Sequence, residues 1–205
     1  MKKIQILTAL LLSISIASYS QSAKRQSSSH SQILKLGVNT FFDTDEFPFS
    51  ISWETKLAAN ESIQIGFLPR VRSFDNDKTN GIGINLAYRK YISKNRTGIN
   101  GLFISPTVKV GYLKDENSYT YYYSGNPPQY IPTKNTNKIT QFSTGFVFGH
   151  NWVFRSGFSI EASGGMSYFN TTNKNTSINN NIQTNATYKE SGITPHVQLS
   201  FGYAF

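Results

Sequence analysis

From Gln32 onward, apolar side chains return at every second position in eight separate stretches. A β-strand turns successive side chains to opposite faces, whereas a helix would bring them back with a period near 3.6. The first stretch aligns Leu34, Leu36 and Val38 against Lys35, Gly37 and Asn39; the second aligns Phe49, Ile51, Trp53 and Leu57 against Ser50, Ser52, Glu54 and Lys56. The third and fourth set Ile63, Ile65, Phe67 and Val71 against Gln64, Arg70 and Arg72, then Ile82, Ile84, Leu86 and Tyr88 against Asn85, Ala87 and Arg89. The fifth opposes Leu102, Ile104, Val108, Val110 and Tyr112 to Ser105, Thr107 and Lys109; the sixth opposes Phe142, Phe146, Phe148 and Trp152 to Ser143, Gly145 and Asn151. The last two set Phe158, Ile160, Met166 and Tyr168 against Ser159, Glu161 and Ser167, and Ile193, Val197, Leu199, Phe201, Tyr203 and Phe205 against Thr194, His196 and Gln198. None of these apolar positions carries a charge, and no stretch holds a helical period. The chain is all-β.

Alternation does not say which face meets water. An eight-stranded barrel has interior room for modest side chains only. The large, often aromatic residues of the apolar face do not fit there, while Gly, Ser, Asn and a few charges do. Pointing the apolar face at lipid resolves the mismatch. Composition agrees: aromatics reach 14% while charged residues are 15%, against a globular average of about 25% charged. A two-layer soluble sandwich remains sterically open at this point, and the connections argue against it. Ala58–Glu61, 93–100 and Arg155–Ser156 are short links, and they alternate with 43–46, 74–80, 114–137 and 170–190. Short turns on one rim and longer loops on the other belong to transmembrane barrels, whose closure satisfies every backbone group inside hydrocarbon. The expected fold is an eight-stranded antiparallel up-and-down transmembrane β-barrel over residues 32–205, or ten strands if the Tyr-rich link forms a hairpin of its own. Trp53, Tyr88, Tyr112, Trp152, Tyr168 and Tyr203 fall toward strand ends, where membrane-interface aromatics belong.

Ahead of the strands, Met1-Lys2-Lys3 precedes a largely apolar run from Ile4 to Ala17 and small residues at Ser18 and Ser20. That layout predicts a secretory signal peptide over residues 1–20, too short for the ~20 apolar residues of a spanning helix. Residues 21–31, rich in Ser and Gln, form a flexible leader. The absence of cysteine excludes disulfides and a lipidated N-terminal cysteine.

Several segments, namely Tyr88-Arg89-Lys90-Tyr91-Ile92, Gly101-Leu102-Phe103-Ile104-Ser105-Pro106, Gly111-Tyr112 and the block from Gly149 to Phe158, give the chain a family likeness. It resembles the small outer-membrane β-barrel proteins of Gram-negative bacteria, of the OmpA/OmpX-like eight-stranded kind, and within them the uncharacterised outer-membrane barrel-domain families. The terminal Gly202-Tyr203-Ala204-Phe205 resembles the final strand whose closing aromatic, here Phe205, is read by the barrel assembly machinery. The resemblance implies fold and location in the cell outer membrane. It implies no catalytic residue.

By parity Lys35, Glu54, Lys56, Arg70, Arg72, Arg89, Lys109, Glu161 and His196 point into the lumen. Unpaired charge there is costly, so Glu54 and Glu161 are expected to pair with neighbouring cations and plug the barrel. The competing reading is a narrow channel for small solutes. In the 114–137 loop, Tyr119, Tyr121, Tyr122, Tyr123 and Tyr130 offer contact area to an extracellular ligand or, as the preferred reading, extend the sheet above the membrane. The 170–190 loop reads as mobile and solvated.

An enzyme is not expected. Asp75-x-Asp77 resembles the paired carboxylates of barrel proteases, but His196 has no acid near it in sequence. His150 faces outward as in lipid-A-modifying barrel enzymes, yet Trp152 stands where a serine would be needed. Three histidines without cysteine predict no metal site, and no cofactor motif is present. The formal charge of +9 reads as basic groups scattered over rims and lumen. Scatter of that kind suits outer-membrane lipids and lipopolysaccharide phosphates better than nucleic acid. A monomer is expected.

Overall fold

A computed structural model describes residues 30–40, 48–74, 76–92, 98–123, 129–179 and 182–205. The expected signal peptide, residues 21–29 of the leader and Asp75 lie outside them. The described chain forms eight strands: β1 (Gln32–Thr40), β2 (Phe49–Ala58), β3 (Glu61–Phe74), β4 (Asp77–Tyr91), β5 (Gly101–Tyr123), β6 (Gln129–Val153), β7 (Phe158–Asn179) and β8 (Ile182–Ala204). Each pairs antiparallel with its sequence neighbours, and β1 pairs with β8 from Ile33 opposite Ala204 to Thr40 opposite Val197, closing the barrel. Ten strands are ruled out among the described residues, because the Tyr-rich segment lengthens β5 and β6 instead of adding a pair.

The faces sort as period two requires. Leu36, Phe67, Phe146, Phe148 and Phe201 stand exposed on the outer wall. Inside, Ser50, Ser52, Ser62, Ser105, Ser143, Ser159 and Ser200 are buried, and their small size lets a ring this narrow close. Such an apolar wall around a polar interior is stable only where lipid replaces water.

The expected 170–190 loop is corrected, and the 114–137 link extends the sheet in line with the preferred reading of its tyrosines. Residues 114–137 and 170–190 are largely strand: Lys114 pairs with Lys138 and the β5–β6 ladder runs on to Tyr123 opposite Gln129, while β7–β8 runs to Asn179 opposite Ile182. β5 and β8 each have 23 residues, against the 9–11 or so that a tilted strand needs to cross a bilayer. The excess stands beyond the lipid as hairpin arms. Thr and Tyr favour the pleated conformation there, and a ladder already registered within the barrel needs no apolar face to continue. The solvated character expected of 170–190 persists, since Thr184, Asn185, Thr187 and Tyr188 are exposed. The link after Phe74 is also tighter than the sequence suggested, with Phe74 directly opposite Asp77.

Candidate functional site: a charged plug in the lumen

Four strands send one ionic side chain each into the middle of the barrel. Lys35 on β1, Glu54 on β2, Arg89 on β4 and Glu161 on β7 are at most 3% exposed. Lys35 Nζ donates to Glu54 Oε2 and to Glu161 Oε2, each at 2.5 Å. Arg89 completes the ring, with Nη1 at 2.6 Å and Nη2 at 2.9 Å from the two oxygens of Glu161, and Nη1 at 3.1 Å from Glu54 Oε2. Two cations thus meet two carboxylates, and formal charge cancels within the cluster. Ser62 Oγ and Tyr91 OH donate to the remaining Glu54 oxygen at 2.5 and 2.6 Å. The Arg89 guanidinium lies 4.3 Å from the centre of the Phe103 ring, a cation–π contact.

The backbone is shaped around these groups. A Cβ on Gly202 would stand 2.6 Å from Leu34 O and 2.9 Å from Lys35 Cγ, so glycine there leaves a lane for the lysine stem. A Cβ on Gly149 would stand 2.5 Å from the Phe103 ring. Glycine therefore lets Phe103 turn inward beneath the guanidinium.

Toward the short-turn end the plug rests on an apolar floor. Ile33, Tyr91, Ile99, Phe103, Val147 and Ala204 pack together, with Val153 against them. Ile99 comes from the β4–β5 turn, flanked by Gly98 and Gly101 at φ of 105° and 118°, a region that favours glycine. Asn151 Nδ2 holds the turn inward by donating to Ile99 O at 2.6 Å. Toward the long-hairpin end lies a cavity of about 110 Å³ lined by Ser52, Gln64, Thr107, Lys109, Gln141 and His196, with Arg89 among its walls. Farther out, Leu68 and Leu113 pack inside, joined by Ile139.

Of the nine charged or titratable side chains expected to face the lumen, four form the plug. Lys109 and His196 line the cavity, with Ser167 Oγ 3.4 Å from His196 Nδ1. Lys56 and Arg70 are half-buried nearer the two ends, and Arg72 is exposed on the arm side. Ser62, Tyr91 and Phe103 were missed as plug residues; Ser62 and Tyr91 share the parity of Gln64 and Arg89, which could have exposed them. Phe103 was hidden by the apolar residues on both sides of it. Among the six expected interface aromatics, Trp53, Tyr88, Tyr112, Tyr168 and Tyr203 are exposed on the outer wall and Trp152 is half-buried. The last packs against His150 with ring centres 4.2 Å apart and planes tilted by 32°. Phe205 follows β8, and its carbonyl accepts from the backbone N–H groups of Ser31 and Gln32. Among the described residues no group of three or more His, Cys, Asp or Glu is placed to hold a metal.

Residues 19–205 match the family described as "Putative MetA-pathway of phenol degradation". The chain belongs to that family. No curated protein matches it. Among solved structures, a major outer membrane protein from Thermus thermophilus is similar at 10% identity and a TM-score of 0.50, over 86% of this chain and 100% of that one. The β domain of the Bordetella autotransporter BrkA aligns over 86% of this chain and 99% of its own at 9% identity, but its TM-score of 0.27 is too low to argue from. The first likeness supports the fold: an outer-membrane-type β-barrel.

Proposed function

We propose that this member of the family is a non-enzymatic integral protein of the outer membrane, exported by a cleaved signal peptide and serving a structural or surface-interaction role through its β5–β6 and β7–β8 arms. The observation that carries this reading is the closed lumen. A neutral, hydrogen-bonded quartet above an apolar floor obstructs the path that a solute or ion would need to take. Opening it would separate buried partners, which leaves uncompensated charge in a confined space. The arms, by contrast, set long polar and tyrosine-bearing surface into the medium.

A second reading, a narrow channel, draws on the cavity of about 110 Å³ that reaches inward to Arg89. The family description would make a phenol-sized solute the first cargo to try, and its passage would require the plug to rearrange. Planar-bilayer recording on the purified, refolded protein separates the two. The proposal expects no stable conducting state, and reproducible unitary openings would overturn it in favour of the channel. Assays of the wild type on phospholipid and lipid A should show no product; turnover sensitive to His150→Ala would overturn the non-enzymatic reading.

A further inference from the structure

The basic groups are less scattered than the sequence suggested. On the outer wall Lys114 of β5 stands directly opposite Lys138 of β6, which stands directly opposite Lys174 of β7. Directly opposed residues have Cβ atoms about 4.5–5.5 Å apart, and like charges in that relation destabilise a sheet. Lys189 adds a fourth cation diagonally, opposite Thr172. Within one register step of the row on this face, Glu116 is the single acid, and it accepts from Lys114 Nζ at 2.7 Å. A sheet that places three lysines abreast with one carboxylate is arranged for an anion supplied from outside.

Position identifies the kind of anion. The row lies two residues past Tyr112, and Val110 and Phe142 face lipid one step further in. At about 3.3 Å per residue along a tilted strand, the ammonium groups reach the headgroup layer beside the aromatic belt. Transmembrane barrels turn their longer loops to the cell exterior, so this is the outer leaflet. Thr140 and Thr172, between the lysines and the apolar band, add hydroxyl donors.

We propose that Lys114, Lys138 and Lys174 form a binding site for the phosphate groups of an outer-leaflet glycolipid of the lipid A type. Lysine suits this as a compact charge with three donors. The site depends on the barrel's placement in the membrane and not on whether the lumen conducts.

The test uses the full refolded barrel in phosphatidylcholine nanodiscs doped with purified bisphosphorylated lipid A or its enzymatically dephosphorylated form, with bound lipid A counted by native mass spectrometry. Wild type should retain the phosphorylated form preferentially. At about fivefold per lysine, K114Q/K138Q/K174Q should lose roughly a hundredfold in affinity, while K90Q at the opposite end should bind as wild type. Equal retention of both lipid forms, or undiminished binding by the triple variant, would overturn the site. Competition by inorganic phosphate at the lipid A concentration would overturn the lipid as its source. If the triple variant does not insert, K138Q alone should weaken binding about fivefold, and no change would count against the proposal equally.

Discussion

Glu161 accepts three hydrogen bonds from the two cations of the plug, so its loss is felt at both. Glu161→Gln leaves Lys35 and Arg89 sharing Glu54 alone, one positive charge unbalanced and buried. Removing one member of a buried ionic cluster costs about 3–5 kcal/mol. Urea titration in lipid vesicles should show that loss, and a midpoint equal to wild type would mean that water reaches the cluster. A different response belongs to the half-buried pair on the β5 arm. There the hydrogen bond and charge of Lys114 hold the Glu116 carboxyl below its ordinary range, with Lys134 and Lys78 adding to the effect. A lowered carboxyl pKa contributes stability that is present above the ordinary value and is lost as pH falls through the lowered one. An NMR titration should find Glu116 below 4.5, returning toward that value in Lys114→Gln.

At the scale of elements, strand length divides each hairpin into a part that lipid requires and a part that it does not. Joining Asn175 to Ala186, which are opposed in the β7–β8 ladder, through an Asn-Gly turn would remove the outer part of that arm. The shortened protein should insert and migrate anomalously on an unheated gel as wild type does. Failure to insert would show that the arm takes part in folding. Period two made the spanning halves readable, because an apolar face every second residue leaves strand as the simplest solution. The outer halves carry no such face. Asn, Thr and Lys in 170–190 resemble a solvated loop until neighbouring strands are in register, whereas the tyrosines of 114–137 already favour an extended sheet. The same limit governs the site. Parity alone turned Lys35, Glu54, Arg89 and Glu161 inward, but it could not separate them from Lys56, Lys109 or Arg72. Which charges meet across a barrel depends on the stagger between strands, a property of closure that no single strand encodes.

For the molecule as a whole, the outer wall and the lumen obey opposite rules. Phe146 is 58% exposed midway along the spanning part of β6, and Phe146→Arg there should cost about 2–4 kcal/mol in a bilayer. The same change at Tyr122, out on the arm, should cost little. Paired unfolding measurements in vesicles check this, and equal costs would mean that the lipid band lies elsewhere. Closure itself is confined to the lower part of the cylinder. Among the described residues, β8 from Ile182 to His196 has β7 on one side only, and β5 past Ser118, whose N–H donates to Asn76 O, has β6 alone. Among the described residues the ring therefore becomes, beyond its closed part, a fringe in which β8 and β5 each lie beside one strand. Lys189, Glu190 and Pro195 sit on the β8 margin, residue types that discourage a foreign strand from docking edge-on. Among the described residues the tip beyond them, from Ile182 to Thr187, carries neither a charge nor a proline, which leaves it the stretch of this margin most open to an added strand.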